Sequence, residues 1–340
     1  MKHIIQRCLI GIILLQGFSV YAQKNTVYFN ETVKSRIRVI IDNDFGGDPD
    51  GLFQLVHHIL SPSVEIKGII GSQHYKDGFY GSPGTVAYAC TKVNELLSIM
   101  QLTGKLPVYE GGASGLADIK TPIVSDGAKA IVQEAMREDT KMPLYVVCGA
   151  GLTNIASAYL LEPRIAKKII LVWIGGAEYQ GLALPPPKGK NLEYNLGIDI
   201  KATQVIFNVS DISIWQVPRD AYRQALYSYS ELVYKFKANG STGEFLIENL
   251  EDLMKRSKRS LGEAYVLGDS PLVLLTALQT SWESDPASCK YAIKRAPGIN
   301  DSGLYEETSE GRKIRVYTSL DTRLMLDDLV AKLVLLNMKK

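Results

Sequence analysis

Asp42-Asn43-Asp44-Phe45-Gly46-Gly47-Asp48-Pro49-Asp50 is the stretch on which the reading of this chain turns. It places the four carboxylates of Asp42, Asp44, Asp48 and Asp50 on one short turn. An apolar run, Ile37 to Ile41, leads in, and a helical pattern, Leu52 to Leu60, leads out. The turn therefore stands between a strand and a helix. Carboxylates this close repel one another, which raises their pKa values, and a bound cation would relieve the repulsion. Aspartate is also favoured at helix starts, so a solvated acidic cap accounts for the same residues. The turn alone leaves both readings open.

Working outward, strands and helices alternate. Arg36 to Ile41, Val64 to Ile70, Val108-Tyr109, Pro143 to Val147 and Ile169 to Ile174 read as strands. Helical patterns from about Asp50, over Thr85 to Met100, Asp126 to Glu138 and Leu152 to Leu161 lie between them. Such alternation predicts an α/β fold, a mostly parallel doubly wound sheet with helices on both faces. Ligands of such sheets sit beyond the carboxyl ends of the strands. The acidic turn, Ser72, Gly149 and Gly176 all fall at such ends. The second half is less regular. Ala202 to Phe207 reads as a helix, Ile212 to Val217 as a strand, and Tyr222 to Arg259 as largely helical with a break at Asn239-Gly240. Ile314 to Tyr317 reads as a last strand feeding a helix from Thr322 to Leu336, with Asp321 as its cap.

The first 22 residues are of another kind. Lys2, His3 and Arg7 precede an apolar run from Cys8 to Val20, and Val20-Tyr21-Ala22 has the form of a cleavage site. This predicts a signal peptide over 1–22, a single domain over 23–340, and a periplasmic or secreted location. No later run of ~18 apolar residues predicts a membrane span. A net charge of +2 with interspersed charges argues against nucleic acid and anionic membranes as partners. Cys90, Cys148 and Cys289 remain after cleavage, an odd number that excludes a fully paired framework. Cys90 and Cys148 lie in apolar runs and read as buried thiols. No histidine pairs with cysteine at zinc-ligand spacing.

Three further segments carry polar residues at breaks. Cys148-Gly149-Ala150-Gly151 matches only G-x-G of a dinucleotide fingerprint, with Asn154 where the third glycine belongs, so a Rossmann oxidoreductase is disfavoured. Glu193-Tyr194-Asn195 sets two polar side chains two residues apart. Gly268-Asp269-Ser270-Pro271 stands before an apolar helix, where Asp269 would be a cap by default.

Taken in order, these segments resemble the inosine-uridine preferring nucleoside hydrolase family over nearly the whole chain after the leader. That family opens with D-x-D-P-G-x-D-D-A. Asp42-Asn43-Asp44 matches D-x-D, Phe45 replaces the proline, Gly46 keeps the glycine, and Asp48 and Asp50 flank Pro49 where the family has adjacent aspartates. Gly51 then takes the small-residue place, after a one-residue insertion. G-P-L-T-N-I-A appears as Ala150-Gly151-Leu152-Thr153-Asn154-Ile155-Ala156, and V-V-M-G-G-A as Val172-Trp173-Ile174-Gly175-Gly176-Ala177. E-F-N appears as Glu193-Tyr194-Asn195, followed by Asp199, and H-D-P-L keeps only Asp269 in place.

The resemblance implies a Ca²⁺-dependent hydrolase that cleaves the N-glycosidic bond of ribonucleosides. It implies Asp44, Asp50 and Asp269 as carboxylate ligands, with the carbonyl of Gly149 as a backbone ligand, a set suited to a hard cation. It implies Asp44 as the general base toward a metal-activated water, and Asp48, Glu193 and Asn195 as contacts to ribose hydroxyls. It is compatible with a homo-oligomer. Two positions depart from the family pattern. Gly268 stands where the family has a histidine, and Ser72 where it has an asparagine after the second strand. Ser72 and His74 are candidate substrate contacts there, although His74 in Gln73-His74-Tyr75 also reads as a surface histidine. Tyr75, Phe79, Tyr179 and Trp215 are candidates to stack on a base, or core and rim residues. Gly268 keeps two alternatives in view, another glycoside hydrolase on the same scaffold and a sugar- or nucleoside-binding protein without turnover.

Overall fold

The computed structural model describes residues 32–75, 78–282 and 288–338. The leader expected over 1–22 lies outside the described residues. Strands β1 (Ile37–Asn43), β2 (Val64–Gly71), β3 (Val108–Glu110), β4 (Leu144–Cys148), β5 (Ile169–Ile174) and β6 (Ser213–Val217) come first in chain order. Short strands β7 (Leu226–Ser228) and β8 (Ala264–Val266) pair with each other. Then follow β9 (Cys289–Arg295), β10 (Gly298–Ile299), β11 (Tyr305–Glu306) and β12 (Lys313–Leu320). The main sheet has eight strands in the order β3-β2-β1-β4-β5-β6-β12-β9. It is parallel except for β9, which runs antiparallel to β12.

The α-helices are α1 (Asp50–Ile59), α2 (Val86–Ile99), α3 (Asp126–Ala135), α4 (Thr153–Leu161), α5 (Tyr194–Ile198), α6 (Ile200–Gln204), α7 (Arg219–Tyr222), α8 (Tyr229–Leu232), α9 (Gly240–Ser257), α10 (Pro271–Leu274) and α11 (Thr322–Asn337). They cover both faces, as alternation predicts. Ile37, Val39 and Ile41 of β1 pack into the core with α1, α9 and α11, while Ile40 points into the opposite core with α3 and α4. Burial on both faces explains why β1 reads as a continuous apolar run rather than an alternating one. Local capping sets several helix starts. Thr85, Ser125 and Asp321 each accept from the backbone N–H three residues on, so the expected role of Asp321 holds.

Two expectations need correction. The stretch from Tyr222 to Arg259 is largely helical with a break at Asn239, but a short strand interrupts it earlier than expected. It breaks into α7, β7, α8 and one wide helical turn at Val233–Lys237 before α9 begins. Strand β9, with its alternating part-buried and exposed residues, went unread because it is a half-covered edge strand. Cys90 and Cys148 are buried free thiols as expected, and Cys289 is also free. Among the described residues no helix is long and apolar enough to cross a membrane.

Candidate active site

The chain leaves β1 in one direction toward β2 and β3, and later returns to its other side with β4. The switch point of the sheet therefore lies between β1 and β4, the position where such sheets form a crevice. Register brings the sequence motifs to that crevice. Asn43 pairs with Gly71, and Asp42 with Cys148. The ladder continues past the strand ends, Ser72 donating to the Asn43 carbonyl at 2.9 Å and Gly149 to the Asp42 carbonyl at 3.0 Å.

None of the turn carboxylates caps α1. Its first flanking residue is Pro49, and no side-chain cap bond is present there. Asp269 does not cap α10 by its side chain either, since that position belongs to Ser270. Instead Asp269 Oδ2 accepts from Asn43 Nδ2 at 2.8 Å. Burial first, then the charges of Asp269 and Asp48, hold Asp44 well above the usual carboxylate range. Asp50 is raised well above it for the same reasons, and Asp48 and Asp269 are raised chiefly by burial. Asp44 and Asp50 thus each lie within electrostatic reach of Asp48 and Asp269.

Among the described residues no group of three or more His, Cys, Asp or Glu side chains is drawn together closely enough to hold a metal ion as it stands. The donors nevertheless suit a hard cation, because mutual repulsion of carboxylates is what a cation removes. The backbone is shaped to match. A Cβ at Gly149 would lie 2.6 Å from Asp269 Oδ1 and 2.5 Å from Asn43 Nδ2, so only glycine lets that backbone approach the acidic group. Asn195 Nδ2 donates to the Gly149 carbonyl at 3.2 Å and to that of Ile174 at 2.8 Å.

Glu193 is buried beside this group. Its Oε2 accepts from the N–H of Gly176 at 2.7 Å and of Leu196 at 3.0 Å, and its Oε1 from the Tyr222 hydroxyl at 3.0 Å. Asp48 accepts from the Tyr265 hydroxyl. Neither Tyr222 nor Tyr265 stood out in the sequence, because each lies outside the motifs and reaches its partner only through the fold.

Ser72 turns away from the crevice. Its hydroxyl donates to Asp42 Oδ1, and Asn154 Nδ2 donates to that same oxygen at 3.1 Å and to Ser72 Oγ at 2.8 Å. His74 is only 1% exposed, so it is not a surface histidine. Its ring meets Phe79 edge-on at 6.3 Å. Phe79 in turn contacts Tyr194 at 5.9 Å, and Tyr194 contacts Tyr75 at 4.9 Å. Tyr194 feels the charges of Asp44 and Asp48, which places this aromatic wall against the carboxylates. A Cβ at Gly47 would lie 3.6 Å from both Asp44 Oδ2 and His74 Cδ2, so the His74 ring borders the site. Tyr179 and Trp215 belong elsewhere. Tyr179 packs on Tyr305, and Trp215 packs with Tyr145, Tyr317 and the Arg315 guanidinium.

Comparison with known proteins agrees with this fold. Residues 39–327 match the sequence model of a family described as inosine-uridine preferring nucleoside hydrolase. Two curated proteins of that description are similar to this chain. The one from Leishmania major is 28% identical over 207 residues, covering 56% of this chain and 62% of the relative, just under two thirds of its length. The one from Crithidia fasciculata is 26% identical over 252 residues, covering 67% of this chain and 75% of the relative. A solved purine-preferring ribonucleoside hydrolase from Gardnerella vaginalis superposes with a TM-score of 0.70 at 17% identity, covering 88% of this chain and 99% of that one. At that identity the superposition shows the α/β fold.

Proposed function

This chain belongs to the inosine-uridine preferring nucleoside hydrolase family, and from that premise we propose that it hydrolyses the N-glycosidic bond of ribonucleosides to ribose and free base. The observation that carries the reading is the set of carboxylates at the switch point, with Asp44 among them and raised well above its ordinary pKa. Asp44, Asp50, Asp269 and the Gly149 carbonyl would hold Ca²⁺. When bound, that ion supplies a Lewis acid that eases ionisation of water in the site.

The remaining roles fall to the chain itself. Asp44 accepts the proton of the attacking water, the task of a positioned general base. Asp48, Glu193 and Asn195 hold ribose hydroxyls and fix the sugar ring, and such positioning supplies several kcal/mol of the barrier in comparable reactions, up to about 7–11. Cleavage passes through an oxocarbenium-like ribosyl cation, whose developing charge the fixed carboxylates favour. Tyr75, Phe79 and Tyr194 offer ring faces and edges to the departing base, with His74 at the border. We extend the proposal to location: the leader-like residues 1–22 direct export to the periplasm or medium.

Incubation of purified protein with a ribonucleoside panel and Ca²⁺ tests the reading, with free ribose as the readout. Release is expected, is lost in a chelator, and returns with Ca²⁺. Absence of release from every nucleoside, while calorimetry shows calcium binding, would transfer the site to another glycoside or to binding without turnover.

A further inference from the structure

Gly268 lets Asp50 and the Tyr222 ring close in on the backbone beside the carboxylates. A Cβ there would lie 3.1 Å from Asp50 Oδ2 and 3.5 Å from Tyr222 Cδ2, so the place of a longer side chain is already taken by Asp50 and the Tyr222 ring. That ring packs against Gly268, and its hydroxyl reaches Glu193 Oε1 at 3.0 Å. Both partners are anchored. Arg219, on the same helical turn as Tyr222, donates through its backbone to the Gly176 carbonyl at 3.0 Å. Its guanidinium forms a bidentate pair with Glu178 at 2.7 and 2.6 Å and reaches the Lys190 carbonyl at 2.7 Å. Gly176 in turn donates to Glu193. Helix α7 and the segment that carries Glu193 are therefore clamped together on both sides of the Tyr222–Glu193 bond. Backbone N–H groups of Gly176 and Leu196 hold Glu193 Oε2, whereas the Tyr222 hydroxyl is the side-chain donor to Oε1.

We infer that Tyr222 is a positioning and selectivity residue of this site: its ring packs over Gly268 to form the wall beside Asp50, and its hydroxyl holds Glu193 Oε1 in the orientation that meets one hydroxyl of the bound sugar. The inference rests on the nucleoside-hydrolase reading above. Its chemistry is a hydrogen bond to a charged acceptor that is itself fixed by another, so the two bonds are coupled. A Tyr222→Phe change keeps the ring and loosens Glu193. A Tyr222→Leu change also removes the ring wall.

The test compares kcat/KM for inosine and uridine with that for their 2′-, 3′- and 5′-deoxy counterparts, in the native protein and both variants, with circular dichroism confirming the fold. In the native protein, deletion of the one hydroxyl held by Glu193 is expected to cost about tenfold or more. In Tyr222→Phe that single penalty shrinks, mainly through KM, while the other two stay as they were. Tyr222→Leu additionally narrows the difference between inosine and uridine. Equal deoxy penalties in native protein and Tyr222→Phe, or a uniform loss across all substrates, would overturn the role of Tyr222 and leave the hydrolase reading intact. A native protein that neither cleaves nor, by calorimetry, binds any of these nucleosides would overturn the hydrolase reading and this inference with it.

Discussion

Asn43 Nδ2 lies 2.8 Å from Asp269 Oδ2, joining two residues 226 positions apart at the centre of the site. The same amide group lies 3.4 Å from Gln54 Oε1, and Gln54 bonds His58, whose Nε2 lies 2.9 Å from Thr276 Oγ1. The Asn43 Oδ1 atom accepts from the Asp44 N–H at 2.8 Å. One buried amide thus orients the two aspartates that the sequence places in separate motifs. Asn43→Leu should lower stability by about 1.5–3 kcal/mol, the value of a hydrogen bond to a charged group, and weaken calcium binding by tenfold or more. Denaturant unfolding and calcium calorimetry measure both. Unchanged calcium affinity in the folded variant would remove Asn43 from the site.

Asp44→Asn should reduce ribose release by about 10²–10⁴-fold, the usual contribution of a positioned general base. Nucleoside binding should survive, because Asp48, Glu193 and Asn195 remain. Ribose release that persists at the native rate would refute Asp44 as the base.

Stability should respond to pH and calcium together. The raised carboxylates, with Asp269 up to about 7 and Asp42 up to about 6, hold protons in the folded state that the unfolded chain has released. Their contribution is therefore fully present below the ordinary range near 4 and is lost as pH rises through their folded values. In chelator, Tm should fall between pH 5 and 7.5. Calcium should offset that fall, adding about 2.7 kcal/mol at a hundredfold excess over its Kd, and more effect at pH 8 than at pH 5. A calcium shift of Tm that is independent of pH would contradict it.

Ser72→Ala separates bracing from substrate contact. Ser72 and Asn154 share Asp42 Oδ1, and Asp42 Oδ2 is buried with no hydrogen-bond partner. Loss of the hydroxyl should cost about 1–3 kcal/mol of stability and leave KM within about twofold. A large rise in KM without loss of stability would return Ser72 to the sugar.

Histidine 57, away from the site, should govern part of the acid limb. It is fully buried, its Nε2 lies 2.7 Å from Asp328 Oδ2, and burial lowers its pKa to about 4. Between pH 4 and 6.5 the unfolded chain takes up a proton at this site that the folded one refuses, so the contribution of His57 to stability rises with pH across that window, opposing the fall set by the raised carboxylates. The shift corresponds to about 3 kcal/mol. His57→Gln should lose less stability than the native protein between pH 6.5 and 4, by urea unfolding at each pH. An acid limb unchanged by the substitution would rule His57 out.

The sequence showed the sheet through particular residues. Ile37 to Ile41 is apolar at every position because both faces of β1 are covered, and that run, with its successors before Ser72, Gly149 and Gly176, made the carboxyl-end crevice legible. The edge strand β9 and the short strand β7 after Tyr222 were not legible, since exposed edges and three-residue strands carry no strong periodicity. Within the site, Asp44, Asp48, Asp50, Gly149, Glu193, Asn195 and Asp269 stood in motifs. Tyr222 and Tyr265 did not, because a tyrosine that serves a carboxylate through one hydroxyl looks in sequence like any core aromatic.

By itself, then, the chain determined which chemistry was available: an acidic turn between strand and helix, carbonyl-bearing glycines at other strand ends, and their order along an alternating fold. Local covalent spacing is enough for that, since a strand end and the turn after it are fixed by a few neighbouring residues. Tertiary structure decided what each group does. Whether Asp269 caps a helix or faces Asn43, whether Ser72 meets the sugar or braces Asp42, and whether His74 is exposed or enclosed depend on partners distant in sequence, brought together by sheet order and burial. Burial is also what turns four ordinary aspartates of the opening turn into a strained set of charges, because desolvation acts only once the chain has closed around them.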